Sequence, residues 1–230
     1  FFRIIMSLIK NALRVDKKCL WKLLYNFCWK GWRGFRKFEK RKRDGEIFPA
    51  FQFISVTNNC NLHCQGCWVT KRGAAQDLDI SKVHQIINES KKQGSYFFGI
   101  LGGEPLMYPW LFEIFQTHPE CYFQLFTNGT LLTQEFCQKL RKLSNVTPLI
   151  SLEGDLEIAD IRRGGRDIYK RTIGAIENAR AAKLVTGVAI SVCKSNIKMA
   201  LSDEFVQMLH QRRSEERRVG KECSFRWSPY

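Results

Sequence analysis

Between Phe51 and Arg212 short apolar runs alternate with longer stretches whose apolar positions recur every three to four residues. These are the periodicities of strands and of amphipathic helices. FQFISVT (51–57) reads as a first strand, and SKVHQIINESKKQG (81–94) as a helix with Val83, Ile86 and Ile87 on one face, Ser81 as its cap and Gly94 at its end. The alternation continues through YFFGIL (96–101, strand), WLFEIFQTH (110–118, helix), YFQLF (122–126, strand) and TQEFCQKLRKLS (133–144, a helix capped by Thr133). VTPLIS (146–151) is a fourth strand, in which Pro148 suits an early position because it has no N–H to donate. IYKRTIGAIENARAAKL (168–184) is expected to be the longest helix, TGVAISV (186–192) a fifth strand, and DEFVQMLHQRR (203–213) the start of a fifth helix.

Strand–helix units of roughly 33 residues are the size of βαβ building blocks, so parallel strands with right-handed crossovers follow. The expected architecture is α/β: a partial (β/α) TIM-like barrel, truncated after about five β/α units, with a doubly wound sheet as its competitor. The polar or glycine-rich stretches NNCNLHCQGC, GGEP, TNG, SLEG and CKSN each fall just after a strand. In a parallel sheet those ends share one face, where active sites form.

Charge divides the chain further. The net charge is +15, and residues 1–46 hold 14 Lys and Arg against 4 Asp and Glu, while residues 47–210 hold 17 against 15. The basic character belongs to the ends, so nucleic-acid binding by the whole protein is not expected. Residues 1–46 read as a basic extension of one or two amphipathic helices followed by a solvated RKFEKRKRDG linker, residues 47–212 as the core, and 213–230 as a tail. For residues 6–45 a peripheral membrane contact, a nucleic-acid arm and a partner-docking helix all fit, and packing on the outside or bottom of the barrel is slightly favoured over membrane contact. The tail RSEERRVGKECSFRWSPY closely resembles the conceptual translation of a common sequencing adapter, departing at Ser224 and Phe225, and is read as artefact rather than as a disordered basic tail. The first residue is Phe1, which implies either a processed N-terminus or a frame read from upstream of a start at Met6.

Nine cysteines is an odd number, and no signal-peptide pattern precedes them. A reducing, cytoplasmic compartment is expected, with membrane-peripheral placement as the variant; no apolar run reaches the length of a spanning helix. Cys60, Cys64 and Cys67 are bunched as C-x3-C-x2-C, whereas Cys19, Cys28, Cys121, Cys137, Cys193 and Cys223 stand singly. Zinc usually takes four ligands in two pairs. Here the only nearby fourth donor is His63, which adjoins Cys64 and would strain to reach the same ion; a solvent-facing His63 is the plainer reading. Three thiolates can instead hold three irons of a cube and leave the fourth to a non-protein ligand, with Gly66 easing the turn of the wrapping loop.

CNLHCQGC directly after a first strand, followed about 35 residues later by GGEP at the end of the second, resembles the radical S-adenosylmethionine (SAM) enzymes. TNG, SLEG and DIRRG (160–164) add to the likeness, which covers about residues 50–212. The resemblance implies that Cys60, Cys64 and Cys67 ligate a 4Fe-4S cluster and that SAM chelates its fourth iron. It implies that Gly102, Gly103 and Glu104 line the methionine amino group, with Pro105 fixing the turn of this cofactor-binding stretch, and that Thr127, Asn128 and Gly129 line the adenosyl end. Ser151 and Glu153 are expected near the ribose or methionyl part and Arg163 on the SAM carboxylate, with Ser191 and Asn196 as weaker candidates. The likeness departs in two places. Gly66 stands where many relatives carry an aromatic residue against adenine, with Trp68 just after, and Glu153 stands where many carry Asp.

The reaction so implied is reductive cleavage of SAM to methionine and a 5′-deoxyadenosyl radical, which abstracts hydrogen from an unidentified substrate. It calls for an electron donor such as a flavodoxin or ferredoxin, and for no general base. Peptide modification, tetrapyrrole or cofactor maturation and lipid modification all remain open. The alternative is a non-catalytic zinc-binding module with a basic arm that contacts nucleic acid or membrane.

Overall fold

A computed structural model describes residues 13–69, 74–154, 156–194 and 196–212. The tail 213–230 and the proposed start at Met6 lie outside the described residues. Five strands, β1 (Phe51–Ser55), β2 (Phe97–Leu101), β3 (Tyr122–Thr127), β4 (Val146–Ser151) and β5 (Gly187–Ala189), form one sheet in the order β1-β2-β3-β4-β5. Every pairing is parallel, from Phe51 opposite Phe97 to Ser151 opposite Ala189. Sequential order with a helical crossover at every step is the winding of a partial barrel.

The crossover helices bury the sheet's outer face. Phe98, Ile100, Phe123, Leu125 and Ile150 meet Val83, Ile87, Ile114, Phe115 and Leu140 in one core. Pro148 pairs with Leu125 of β3, but pairing with β5 begins only at Leu149, so its missing N–H falls before the second ladder starts.

The expected helices appear with three corrections. Ile80–Lys92 is capped by Asp79, which accepts from the backbone N–H of Ser81 and Lys82, rather than by Ser81. The fifth strand covers only Gly187–Ala189, leaving Ser191 beyond it. The DIRRG stretch, to which the sequence pattern assigned no element, lies at the end of a helix, Leu156–Arg163.

The N-terminal extension is a continuous helical run: α1 (Lys17–Lys22), a π-helical stretch Leu23–Trp29, and α2 (Lys30–Arg43). It outlasts Ile168–Ala181, the helix expected to be longest. Most of the expected linker is therefore helical, since Lys, Arg and Glu are good helix formers; the turn comes at Asp44 and Gly45, where φ is +80°. The run steps across the N-terminal ends of the strands in order. Asp16 N–H donates to the Lys183 carbonyl (2.9 Å) ahead of β5, and Cys19 packs at Arg141 ahead of β4. Asn26 donates to the carbonyls of Pro119 and Cys121 ahead of β3 (3.2 and 3.3 Å). At Gly34 a Cβ would stand 2.9 Å from the Gly94 carbonyl ahead of β2. Phe27 adds an edge contact with Phe97 at 4.8 Å between ring centroids.

Candidate active site

At the opposite end of the sheet the cysteine loop is clamped from both sides. On the β2 side, Gly103 N–H donates to the Thr57 carbonyl and Glu104 N–H to the Asn59 carbonyl, each at 2.7 Å. The two glycines are required by contact. A Cβ on Gly102 would lie 2.3 Å from the Thr57 oxygen, and one on Gly103 would lie 2.1 Å from the Asn59 oxygen. The chain that approaches these glycines is therefore the cysteine loop itself. Its base is closed by residues 76–78, through Asn58 N–H to the Gln76 carbonyl and Leu78 N–H to the Val56 carbonyl.

Glu104 is wholly buried behind this clamp. Its carboxylate accepts from the Thr127 hydroxyl (2.7 Å), Asn128 N–H (2.8 Å) and Leu106 N–H (3.0 Å). Burial pushes the Glu104 carboxyl above its ordinary range, against the pull of those hydrogen bonds and of the Arg163 charge. Pro105 is buried in the following turn. The ordered TNG turn passes the constraint on. Asn128 Nδ2 donates to Asn61 Oδ1 at 2.9 Å and lies 4.0 Å from Cys60 Sγ, while Asn128 Oδ1 accepts from Thr130. Asn61, two places before His63 and not singled out by the sequence, bridges the two turns and also donates to Thr130 Oγ1.

On the other flank Gln65 N–H donates to the Arg162 carbonyl at 2.8 Å, and Gly164 approaches His63 so closely that a Cβ would sit 2.4 Å from its carbonyl oxygen. Arg163 forks between two acceptors: one terminal nitrogen meets Glu153 Oε1 at 2.6 Å and the other lies 3.8 Å from Cys64 Sγ. Its buried Nε has no protein partner. Glu153, only 5% exposed, also receives Arg162 Nε at 3.3 Å. Asn196 ties this corner down by donating to the carbonyls of Glu153 and Ser191. Ser151 is half-buried at the end of β4, and Gly129 lies in the turn after β3 with φ +78°.

Cys60, Cys64 and Cys67 are not in disulfides, with Cys60 and Cys64 half-buried and Cys67 exposed. Gly66 adopts φ +68° between the last two, and His63, Gly66 and Trp68 face solvent. Ligands of one zinc ion converge to within ~4 Å of one another, because each lies about 2.3 Å or less from the metal. Among the described residues no three His, Cys, Asp or Glu side chains gather in that way. The donor set fits an iron–sulfur cube better: three thiols on a wrapping loop, an amide and a guanidinium beside two of the sulfurs, and one spare buried donor on Arg163 for a ligand carboxylate.

The family model of the radical SAM superfamily matches residues 54–198, and the chain belongs to that superfamily. Among curated relatives it is 34% identical over 159 residues to an AdoMet-dependent heme synthase of Methanosarcina barkeri, covering 65% of this chain and 44% of that protein. It is 30% identical over 158 residues to the mycofactocin maturase MftC of Mycobacterium tuberculosis, covering 66% and 40%. The chain thus spans less than half the length of these relatives. In fold it resembles SuiB of Streptococcus suis, solved with S-adenosylmethionine bound (TM-score 0.66, 22% identity, 78% of this chain and 43% of that one). It also resembles anSMEcpe with bound AdoMet (TM-score 0.59, 18% identity, 70% and 48%).

Proposed function

We propose that residues 47–212 are the catalytic core of a radical SAM enzyme in which Cys60, Cys64 and Cys67 hold a 4Fe-4S cluster and SAM takes the fourth iron. The supporting observation is the two-sided clamp on the loop that carries the three cysteines, which sets Asn128 beside Cys60 and Arg163 beside Cys64. Cluster sulfurs carry negative charge, and N–H donors stabilise that charge. When bound, the cluster and SAM supply a 5′-deoxyadenosyl radical for hydrogen abstraction from the substrate.

The chain's own residues bind, orient and exclude water. Gly102 and Gly103 admit close backbone approach, and the buried Glu104 carboxylate fixes the Thr127-Asn128 turn. Arg163, steadied by Glu153, offers its remaining N–H to the SAM carboxylate, and Ser151, the last residue of β4, serves the ribose or methionyl part. The electron donor is a flavodoxin or ferredoxin. The substrate is a tetrapyrrole or a peptide; relatives are named for heme synthesis, mycofactocin maturation and maturation of a sporulation killing factor. Residues 1–46 are an appended extension, residues 213–230 take no part, and the protein works in the cytoplasm.

Anaerobic reconstitution tests this reading. The protein should turn brown, bind close to four irons as one cluster requires, and release 5′-deoxyadenosine from SAM when reduced. Cys64→Ala should abolish both the cluster and the product. A colourless, zinc-loaded protein would overturn it.

A further inference from the structure

The N-terminal helical run has two faces, and only one is used by the fold. Cys19, Asn26 and Gly34 are buried against the sheet's N-terminal end. Opposite them Trp21, Tyr25, Trp29, Trp32 and Phe35 recur at helical spacing and are 64%, 44%, 50%, 52% and 53% exposed. Three of the six tryptophans of the chain lie in this stripe. Beside it stand the exposed cations Lys17, Lys18, Arg33, Arg36 and Lys40. A helix with aromatic residues along one line and Lys and Arg along its flanks is built for the boundary between lipid headgroups and acyl chains.

We infer that residues 17–43 dock the protein on an anionic lipid surface through this stripe, with the helix lying flat and the cysteine loop facing away. Three observations carry the inference. Charge is complementary, with residues 1–46 holding 14 basic against 4 acidic residues. The helix is tied to the loop ahead of β3 by Lys22, Asn26 and Lys30, which donate to the carbonyls of residues 119–121, so the stripe is held outward as a preset line. The rings are also stacked on one another, Trp21 on Tyr25 at 5.7 Å and Trp29 on Trp32 at 5.4 Å, with the Arg36 guanidinium over Trp32 at 5.5 Å. Single-stranded nucleic acid needs free ring faces for its bases; here the faces are shared between neighbours, which favours lipid. The parallel strands put their N-terminal ends toward the lipid and the cysteine loop at the far end, roughly 17–20 Å away for strands of this length. Docking therefore leaves the reaction face open to soluble substrate and electron donor.

The test is co-sedimentation with vesicles of phosphatidylcholine alone or mixed with phosphatidylglycerol, followed by tryptophan emission. Binding should require phosphatidylglycerol, weaken as salt rises and shift the emission to the blue. Trp29→Ser/Trp32→Ser should lower the partition coefficient at least tenfold with circular dichroism and iron loading unchanged. Arg33→Glu/Arg36→Glu, which leaves the rings in place, should lower it by roughly fivefold or more for each cation reversed. The inference fails if neither vesicle binds or if both double variants bind like the parent. It also fails if the stripe is consumed by a dimer that the tryptophan variant dissolves, or by an RNA oligonucleotide that displaces lipid.

Discussion

The two ends of the sheet solve opposite problems. At the C-terminal end the chain folds back on itself through polar contacts. Two buried carboxylates, Glu104 and Glu153, each serve more than one partner, and backbone N–H groups grip the cysteine loop at 2.7 Å. At the N-terminal end a basic, aromatic helix is attached along one line and leaves the other uncovered. A loop that must present three thiols in fixed relation needs directional bonds, because apolar packing alone does not fix the angle of approach. A docking surface needs only exposed area and charge, so its contacts with the fold can be few.

A pair of glycine substitutions tests that contrast most sharply. Gly103→Ala puts a methyl group 2.1 Å from the Asn59 oxygen, which is backbone and cannot swing aside. It should cost about 3 kcal/mol and prevent stable cluster loading, read by thermal unfolding and iron content. Gly31→Ala in α2 meets nothing within 4 Å and should raise stability by about 0.5–1 kcal/mol, as alanine does in a helix. Equal losses from the two would dissolve the distinction between the ends.

Removing a charge separates the ends next. Arg163→Gln strips the short ion pair from a nearly buried carboxylate, leaving Arg162 at 3.3 Å as partial compensation. The expected loss is about 2 kcal/mol in chemical denaturation. Weaker SAM binding should accompany it, read by equilibrium dialysis. Stability unchanged by the substitution would mean that Glu153 is held without the pair.

The N-terminal end holds a buried histidine whose effect depends on pH. His118, 1% exposed, lies between Lys91 at 3.2 Å and His84 at 2.9 Å, with Glu113 beyond His84 and Glu120 beside Lys91. Burial, then the charge of Lys91 and the presence of His84, lowers its pKa from 6.5 to about 4, with Glu120 opposing. The fold therefore holds the imidazole neutral and the unfolded chain binds the extra proton. This contribution is fully present above about pH 6.5 and is lost as pH falls through about 4. His118→Gln should flatten that part of the curve of stability against pH, while leaving iron loading at pH 8 unchanged.

Much of this was legible because strands and helices are written in local periodicity. The strands 97–101, 122–127 and 146–151 fall within a residue of their expected bounds, and Thr133 caps the helix it was expected to cap. Asp79 was missed as a cap because a capping side chain is defined by where the backbone turns, and Ser81 has the same chemistry two residues later. The helix Leu156–Arg163 was hidden because charge and a neighbouring glycine pair mask its short apolar face.

The C-x3-C-x2-C spacing and the GGEP run were sufficient by themselves to point to the superfamily, since ligand number and turn chemistry are properties of adjacent residues. Only the tertiary structure decided what those residues touch. It brought Gly103 to Asn59 and Asn128 to Asn61, and it sent Arg163 to Glu153 and Cys64 together. It also decided that the basic segment is a continuous helical run across the sheet's far end, with its aromatic line outward. These are contacts between stretches distant in the chain, and their geometry is set by how parallel strands bring their ends together, which no local pattern encodes.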